Sequence, residues 1–189
     1  MNAPLTTQYD ETASAFFAKA RRAWVDAMAD DRDLAVLEIG CGTGATGALA
    51  LRQGKCGSWV GVEMNAREAA EAMFALTDVI SADPAVVALP HARSSFGLIF
   101  VGHALSGFDA PAKTLKAVAP LLRPGGRFVV SAAGKGVDKK RGFTRHSLRR
   151  TLKRAGIEVL MLKENGGKAG FLGLGRAHPK SLHATGKRR

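Results

Sequence analysis

Three glycines and two glutamates are the residues whose types and spacing best indicate chemistry in this chain. Gly40, Gly42 and Gly44 alternate with other residues, so the backbone there can turn sharply and approach a ligand closely. Glu38 stands two residues before the first of these glycines, and Glu63 follows the last of them by 19 residues (63 − 44). A carboxylate at the first position can accept a hydrogen bond from a cationic amino group, and one at the second can accept from both hydroxyls of a ribose.

The elements on either side of the glycines would place them at the end of a strand. The apolar run from Leu34 to Leu37 predicts a buried strand of a parallel sheet, and the segment from Ala45 to Leu51 has a helix-forming composition. A second apolar run, from Trp59 to Val62, predicts a strand that ends in Glu63. Because a strand, a glycine turn and a helix present free backbone N–H groups to a ligand, this order is typical of nucleotide-type sites. We therefore predict a ligand with an amino acid at one end and an adenosine ribose at the other, which describes S-adenosylmethionine.

A dinucleotide site is the alternative, because residues 42–47 also satisfy the G-x-G-x-x-G pattern of dinucleotide-binding proteins. Glu38 disfavours it, since a carboxylate there would repel a pyrophosphate. The only tyrosine, Tyr9, precedes the glycine turn, so the Tyr-Lys catalysis of short-chain dehydrogenases has no tyrosine where it belongs. An oxidoreductase is the weaker hypothesis.

The sequence VLEIGCGTG over residues 36–44 resembles motif I of the class I S-adenosylmethionine-dependent methyltransferases, and GVEMN over residues 61–65 resembles their second motif. The order of later elements is similar to that family from Tyr9 to Ala177. The resemblance implies an α/β fold with a Rossmann-like, doubly wound and mostly parallel seven-stranded sheet. It also implies an antiparallel C-terminal hairpin strand, and helices on both faces of the sheet.

The same resemblance implies one methyltransferase domain over residues 1–177, which begins with a lid-like helix over residues 11–29. We expect the basic tail of residues 178–189 to be disordered. The segment from Arg123 to Arg127 resembles a turn that is common in the family, placed before a strand from Phe128 to Ser131.

The cofactor-binding residues implied by the resemblance are Glu38, Gly40, Cys41, Gly42, Gly44, Glu63, Met64 and Asp83. Asp83 stands where the family often has an acidic residue that contacts the adenine amino group. His103 follows the strand predicted over Phe96–Val101, at the switch point where an acceptor would meet the methyl group. We predict His103 as a general base, because imidazole titrates near neutral pH, with a structural histidine as the alternative. No metal site is predicted, because the cysteines and histidines lack metal-ligand spacing.

Positive charge is concentrated at the C-terminal end of the chain. Residues 1–133 carry 12 basic and 13 acidic side chains, a net charge of −1 (12 − 13), whereas residues 134–189 carry 16 and 3, a net charge of +13 (16 − 3). We predict a flexible basic loop over Gly134–Gly142. Residues 135–154 could hold RNA or another anionic surface, and a merely solvated basic face is the alternative.

The nature of the acceptor is open, because class I members methylate metabolites, lipids, proteins and nucleic acids on one scaffold. The end of the strand predicted over Phe96–Val101 lacks the Asn-Pro-Pro-Tyr type of motif of adenine amino-group methylases, and no cysteine stands there for a pyrimidine-carbon mechanism. We predict a small-molecule or lipid-like acceptor. An RNA methyltransferase and a non-catalytic cofactor-binding partner subunit are the alternatives. The sequence has no apolar run of membrane-spanning length and no signal-peptide pattern, so we expect a cytoplasmic protein.

Overall fold

The structure is a computed structural model that describes residues 11–84, 89, 93–102, 104–136, 138–165 and 170–177. The strands in this part of the chain are β1 (Ala35–Ile39), β2 (Ser58–Glu63), β3 (Asp78–Ser81), β4 (Phe96–Gly102), β5 (Leu122–Ala133), β6 (Ile157–Asn165) and β7 (Gly170–Ala177). The α-helices are α1 (Glu11–Asp26), α2 (Ala45–Arg52), α3 (Ala66–Ala72), α4 (Pro111–Val118) and α5 (Arg145–Arg154). Two short 3-10 helices cover Ala104–Gly107 and Ala119–Leu121.

All of these strands belong to one seven-stranded sheet, in the order β3-β2-β1-β4-β5-β7-β6. Neighbouring strands run parallel from β3 to β5, and β7 is antiparallel to both β5 and β6. The chain leaves β1 first toward β2 and β3, and later returns to the other side of β1 with β4. The carboxyl ends of β1 and β4 therefore form the switch point of a doubly wound sheet. The predicted fold class is confirmed.

The central strands are apolar on both faces because helices cover both faces. In β1, Leu37 and Ile39 belong to one hydrophobic cluster, and Val36 belongs to another with Trp59 and Phe100. Alternate residues of a strand point to opposite faces, so the two clusters are the two sides of the same sheet. Burial on both faces explains why β1 appears in the sequence as a continuous apolar run.

The segment Arg123–Arg127 was predicted as a turn before a strand, and this prediction was wrong because the segment lies inside the strand. Strand β5 begins earlier, at Leu122, which pairs with Phe96 of β4, and the ladder resumes only where Leu98 pairs with Arg127. The intervening residues bulge out of the ladder, and Gly125 has a φ of 78° that favours glycine. The proline and glycines thus form a bulge inside a strand.

Side chains cap the starts of two helices. The Asn65 side chain accepts from the backbone N–H groups of Arg67 and Glu68 and begins α3. Thr144 and Ser147 form a reciprocal capping box at the start of α5. Helix α1 ends at Asp26, three residues before the predicted end. No helix in the described ranges has the length and apolarity needed to cross a membrane.

Candidate functional site

The glycine loop between β1 and α2 is held in a left-handed conformation. Gly40, Gly42 and Gly44 have φ angles of 72°, 55° and 80°. Residues with a Cβ adopt such angles only at a cost, so this path of the backbone depends on the glycines. The N–H groups of Gly40 and Cys41 both donate to the Val62 carbonyl oxygen, at 2.7 and 3.2 Å, which fixes the loop to the end of β2.

The glycine loop also packs closely against neighbouring side chains at two of its three glycines. A Cβ at Gly40 would overlap the Cβ of Ala104, which lies just beyond the end of β4. A Cβ at Gly44 would lie 3.0 Å from Leu76 Cγ, tighter than ordinary van der Waals contact. At Gly42, by contrast, a Cβ would meet only Glu68 Oε2, at 3.6 Å. The loop therefore forms a cradle of bare backbone at the switch point.

Glu63 connects the end of β2 to this cradle. Its Oε2 accepts from the Gly42 N–H at 2.9 Å, and its Oε1 accepts from the Asn65 N–H at 2.9 Å. Each carboxylate oxygen can accept more than one hydrogen bond, so both oxygens retain capacity for ligand hydroxyls. The half-buried side chain is thus held in place beside the glycine loop, as the predicted ribose contact requires.

Glu38 has a different environment, since it is only 2% exposed. Its Oε2 accepts from the Trp59 indole Nε1–H at 2.8 Å. Burial raises the pKa of this carboxyl to about 8, although hydrogen bonds from Trp59 and Thr46 and the charge of Arg21 act to lower it. Without a ligand the Glu38 carboxyl is therefore largely protonated at neutral pH.

The surroundings of the glycine loop are acidic. Burial, followed by the charges of Glu63 and Glu71, raises the pKa of Glu68 above its ordinary value. Burial and the nearby carboxylates of Glu38 and Glu63 also raise the pKa of the Cys41 thiol, so that thiol stays neutral. An accumulation of carboxyl groups favours a cationic ligand and disfavours a pyrophosphate.

The other residues predicted for the site are Met64, Asp83 and His103. Met64 is 41% exposed beside Glu63. The Ala82 N–H donates to the Glu63 carbonyl oxygen at 3.0 Å, so Ala82 lies beside the last residue of β2. Asp83 is the next residue in the chain and is partly buried. His103 lies outside the described residues. The structure thus brings together the glycine loop, Glu63, Met64 and the approach to Asp83 at one edge of the sheet, with Glu38 beneath them.

Sequence reasoning missed two partners of Glu38, namely Trp59 and Thr46. The register of β1 and β2 pairs Val36 with Trp59 and Glu38 with Gly61. Glu38 and Trp59 therefore share a face of the sheet, which follows only from the register. The apolar strand containing Trp59 signalled a buried indole, but its N–H partner could not be identified without knowing the neighbouring strand.

The residues present fit S-adenosylmethionine. The bare glycine backbone leaves room for a close approach, Glu63 is positioned for ribose hydroxyls, and the carboxyl groups complement an ammonium and a sulfonium. Comparison with family models shows that the model described as "Methyltransferase domain" matches residues 37–130, about half of the chain. The chain belongs to the class I S-adenosylmethionine-dependent methyltransferases. Its cofactor is therefore S-adenosylmethionine.

Solved structures similar to this methyltransferase share its fold at low sequence identity. A TehB-like S-adenosylmethionine-dependent methyltransferase from Corynebacterium glutamicum is 18% identical with a TM-score of 0.69, covering 88% of this chain and 95% of that chain. An Aquifex aeolicus S-adenosylmethionine-dependent methyltransferase is 15% identical with a TM-score of 0.68, covering 85% and 96%. A complex containing the Haloferax volcanii Trm112 methyltransferase activator matches at 14% identity and a TM-score of 0.71, covering 89% and 95%. A comparison with curated proteins finds no match.

A cavity of about 260 Å³ lies between the segments that follow β4 and β5 in this methyltransferase. Buried Phe108 and Phe143 form apolar walls, and Ser106 and Arg141 also line it. The Arg141 guanidinium spans the two segments, because its Nη1 donates to the Gly107 carbonyl oxygen at 3.1 Å. Within the described residues, the Ser106 hydroxyl is buried without a hydrogen-bond partner. The cavity lies next to the switch point.

Several hydrogen bonds lie within the basic loop after β5. Its ends are joined, because the Phe143 N–H donates to the Ala133 carbonyl oxygen at 2.8 Å. Inside it, Asp138 Oδ1 accepts from the N–H groups of Lys140 and Arg141, at 3.0 and 2.7 Å. The Asp138 side chain thus caps a turn within this loop. The flexibility of Gly134–Gly142 stays a prediction.

A second cavity, of about 350 Å³, lies between α1 and the sheet. Its walls are mainly apolar and include Trp24, Met28, Phe100 and Val129. Trp59 also lines it, so the cavity borders the residue that donates to Glu38. Its size and apolar walls suit an alkyl or aromatic group.

Proposed function

We propose that this methyltransferase acts on a small-molecule or lipid-like acceptor bound between the ends of β4 and β5. The observation that carries the proposal is the 260 Å³ cavity next to the switch point, with Phe108 and Phe143 as walls and Arg141 at one side. A cavity of this size suits a small group better than a folded macromolecule. The aromatic side chains of Phe108 and Phe143 could also contact an apolar part of a lipid-like acceptor.

In this proposal the cofactor is held by the predicted set Glu38, Gly40, Cys41, Gly42, Gly44, Glu63, Met64 and Asp83. Cys41 contributes backbone only, because its thiol is buried and neutral. Bound S-adenosylmethionine supplies a methyl group already activated by the sulfonium. The protein then has to orient the acceptor, exclude water and remove at most one proton. His103, between β4 and Ala104 in the sequence, is our candidate for that base.

Counting of transferred methyl groups tests this function. The full chain is incubated with S-adenosylmethionine carrying a tritiated methyl group and with separate cell extracts of metabolites, lipids and RNA. We expect label in the metabolite or lipid fraction. At subsaturating cofactor it should fall about 10- to 100-fold in Glu63→Ala, and in His103→Ala about 100-fold or more. His146→Ala, at an exposed histidine of α5, is the matched control and should leave the rate unchanged.

RNA as the acceptor is a second candidate, favoured by the exposed cations of α5. Label that enters only the RNA fraction would replace the first proposal with this one.

A requirement for a partner is a third possibility, supported by the similar structure that contains the Trm112 methyltransferase activator. Cofactor binding without label in any fraction would favour it. A stable complex on copurification, with methyl transfer restored in that complex, would then establish the partner.

A further inference from the structure

Helix α5 carries a dense group of cations on its exposed side. We call this group the basic helix face, and its members are Arg145, Arg149, Arg150, Lys153 and Arg154, all of them exposed. Leu148 and Leu152 on the other side of the helix are 0% and 2% exposed and belong to the core. The helix is therefore anchored by its apolar side, and its charges point to solvent.

Helix stability does not explain these charges as a group, although Lys153 and Arg154 lie in the last turn, where the helix dipole favours cations. Within the described residues, the ion pairs link Lys55 to Asp30, Arg67 to Glu71, Arg141 to Asp109 and Arg176 to Glu158, and none involves the basic helix face. Like charges three or four residues apart on a helix repel each other. Arg145 also lies in the first turn, where the helix dipole disfavours a cation, and that turn has no acidic residue. The arrangement needs another explanation.

The positions of the cations are fixed by the fold. The capping box of Thr144 and Ser147 sets where α5 begins, and both of its leucines are packed in the core. Nine residues separate the first and last cations (154 − 145), which corresponds to a length of about 13 Å at the helical rise. The fold therefore fixes the backbone positions from which these cations project, so that the basic helix face is a prearranged row of charge.

The row of charge begins at the mouth of the site and runs away from it. Exposed Lys139 and Lys140 lie in the loop that leaves the carboxyl end of β5, and α5 follows directly. Strands β5 and β6 are both antiparallel to β7, so they run in the same direction. Because α5 connects the end of β5 to the start of β6, it runs back along the side of the domain.

The direction of α5 favours a chain-like polyanion over a flat membrane as the binding partner. A membrane that touched the mouth would meet Lys139 and Lys140 but not the far end of α5. The apolar side of α5 is buried in the core, so it has nothing to insert into lipid. Four of the five cations of the basic helix face are arginines, whose guanidinium groups can bind phosphate oxygens in pairs.

We infer that the basic helix face, together with Lys139 and Lys140, binds the phosphate backbone of RNA. This inference goes beyond the proposed function and holds whichever molecule accepts the methyl group. The contact is electrostatic and not selective for sequence, because it consists of cations on phosphates.

The test is fluorescence anisotropy of a labelled 20-nucleotide uridine RNA with the full chain, from 50 to 300 mM KCl. The logarithm of the binding constant should fall linearly with the logarithm of the salt concentration. The test variant changes three cations in the middle of the row, Arg149→Gln, Arg150→Gln and Lys153→Gln. Three lost phosphate contacts should reduce the slope by about 2, at about 0.7 for each contact with a single strand.

The matched control removes the same charge from exposed arginines on the opposite side of the sheet, Arg22→Gln, Arg32→Gln and Arg52→Gln. It should leave the slope nearly unchanged. Equal losses in both triple variants would overturn the inference, because net charge alone would then explain the binding. Binding to phosphatidylglycerol vesicles without binding to the RNA would also overturn it.

Titration with S-adenosylhomocysteine separates this result from the proposed function. Both triple variants should bind it like the wild type, because neither set touches the glycine loop or Glu63. If the α5 variant fails to fold, Lys139→Gln with Lys140→Gln replaces it, since both side chains lie in an exposed loop. A salt slope unchanged in that double variant counts against the inference.

Discussion

The two halves of the sheet carry opposite charge at the same edge. At the ends of β1 and β2 the glycine loop is surrounded by Glu63, Glu68 and the buried, largely protonated Glu38, whereas the segment after β5 leads into the basic helix face. The carboxylates of the first half attract a cofactor with an ammonium and a sulfonium and repel a polyanion, whereas the cations of the second half attract a polyanion. If the basic helix face binds RNA as inferred, the two ligands occupy separate parts of the domain.

The largest expected effect concerns the pH dependence of the acidic half. Burial raises the pKa of folded Glu38 to about 8 from the ordinary 4.5, so the folded chain binds a proton that the unfolded chain releases. The stability that this proton contributes is complete below pH 4.5 and is lost as the pH rises to about 8. The loss is on the order of 5 kcal/mol, at 1.36 kcal/mol per pKa unit.

Urea unfolding of Glu38→Gln and wild type without cofactor, from pH 4.5 to pH 9, measures this difference. A glutamine can still accept from the Trp59 indole, so the variant should gain stability relative to wild type as the pH rises. Glu71→Gln, at an exposed carboxylate of α3, is the control and should show a flat difference. A flat difference for Glu38→Gln as well would mean that its carboxyl ionises normally.

The second prediction concerns the contact between Gly40 and Ala104, which joins the two halves of the sheet. Gly40→Ala places a Cβ in a left-handed residue and against the Cβ of Ala104, at the switch point. The backbone cost of about 1 to 2 kcal/mol and the overpacking cost of about 1 to 3 kcal/mol should together lower the free energy of unfolding by roughly 3 kcal/mol.

Gly54→Ala is the matched control for this contact. Gly54 has a φ of 68° but no atom within 4 Å of its Cβ position, so only the backbone cost applies. Denaturant unfolding of both variants separates the two terms. Equal losses would show that Ala104 moves aside without cost.

Removal of Glu63 tests the acidic half as a cofactor site. Glu63→Ala deletes the proposed acceptor for the ribose and releases the Gly42 and Asn65 N–H groups. Hydrogen bonds to charged groups contribute roughly 1.5 to 3 kcal/mol, so calorimetry should show S-adenosylmethionine binding about 10- to 100-fold weaker. Glu71→Ala should not change the affinity, and an unchanged affinity in Glu63→Ala would place the ribose elsewhere.

Much of the acidic half was predictable from the sequence, because its features are local. Glycines at alternate positions, a short apolar run before them and an acidic residue at the next strand end depend on neighbours in the chain. The φ angles of Gly40 and Gly44 confirm the predicted turn. The indole partner of Glu38 was not predictable, since it depends on the register between β1 and β2.

The C-terminal half was less predictable, because its features depend on distant pairing. The Pro-Gly-Gly segment has turn composition, yet pairing of Leu122 with Phe96 draws it into β5 as a bulge. Asp138 converts a lysine-rich segment into a hydrogen-bonded loop, and charge counting cannot detect that. Thr144 as a helix cap was predictable, because a capping residue acts on the N–H groups of the next turn.

The smallest effect concerns the basic half by itself. Arg149 lies four residues after Arg145 and four before Lys153 on α5, so its charge is repelled from both sides. Arg149→Glu replaces both repulsions with attractions, and in the pair with Lys153 the glutamate stands at the N-terminal position, which is the better order. Thermal unfolding should show a gain in the free energy of unfolding of roughly 0.5 to 1 kcal/mol at low salt, and the gain should fade at high salt.

The comparison variant is Arg67→Glu, which breaks the pair with Glu71 and should lose a few tenths of a kcal/mol. If Arg149→Glu is neutral at low salt, the repulsion along α5 is already screened, and the stability argument for a function of the basic helix face fails.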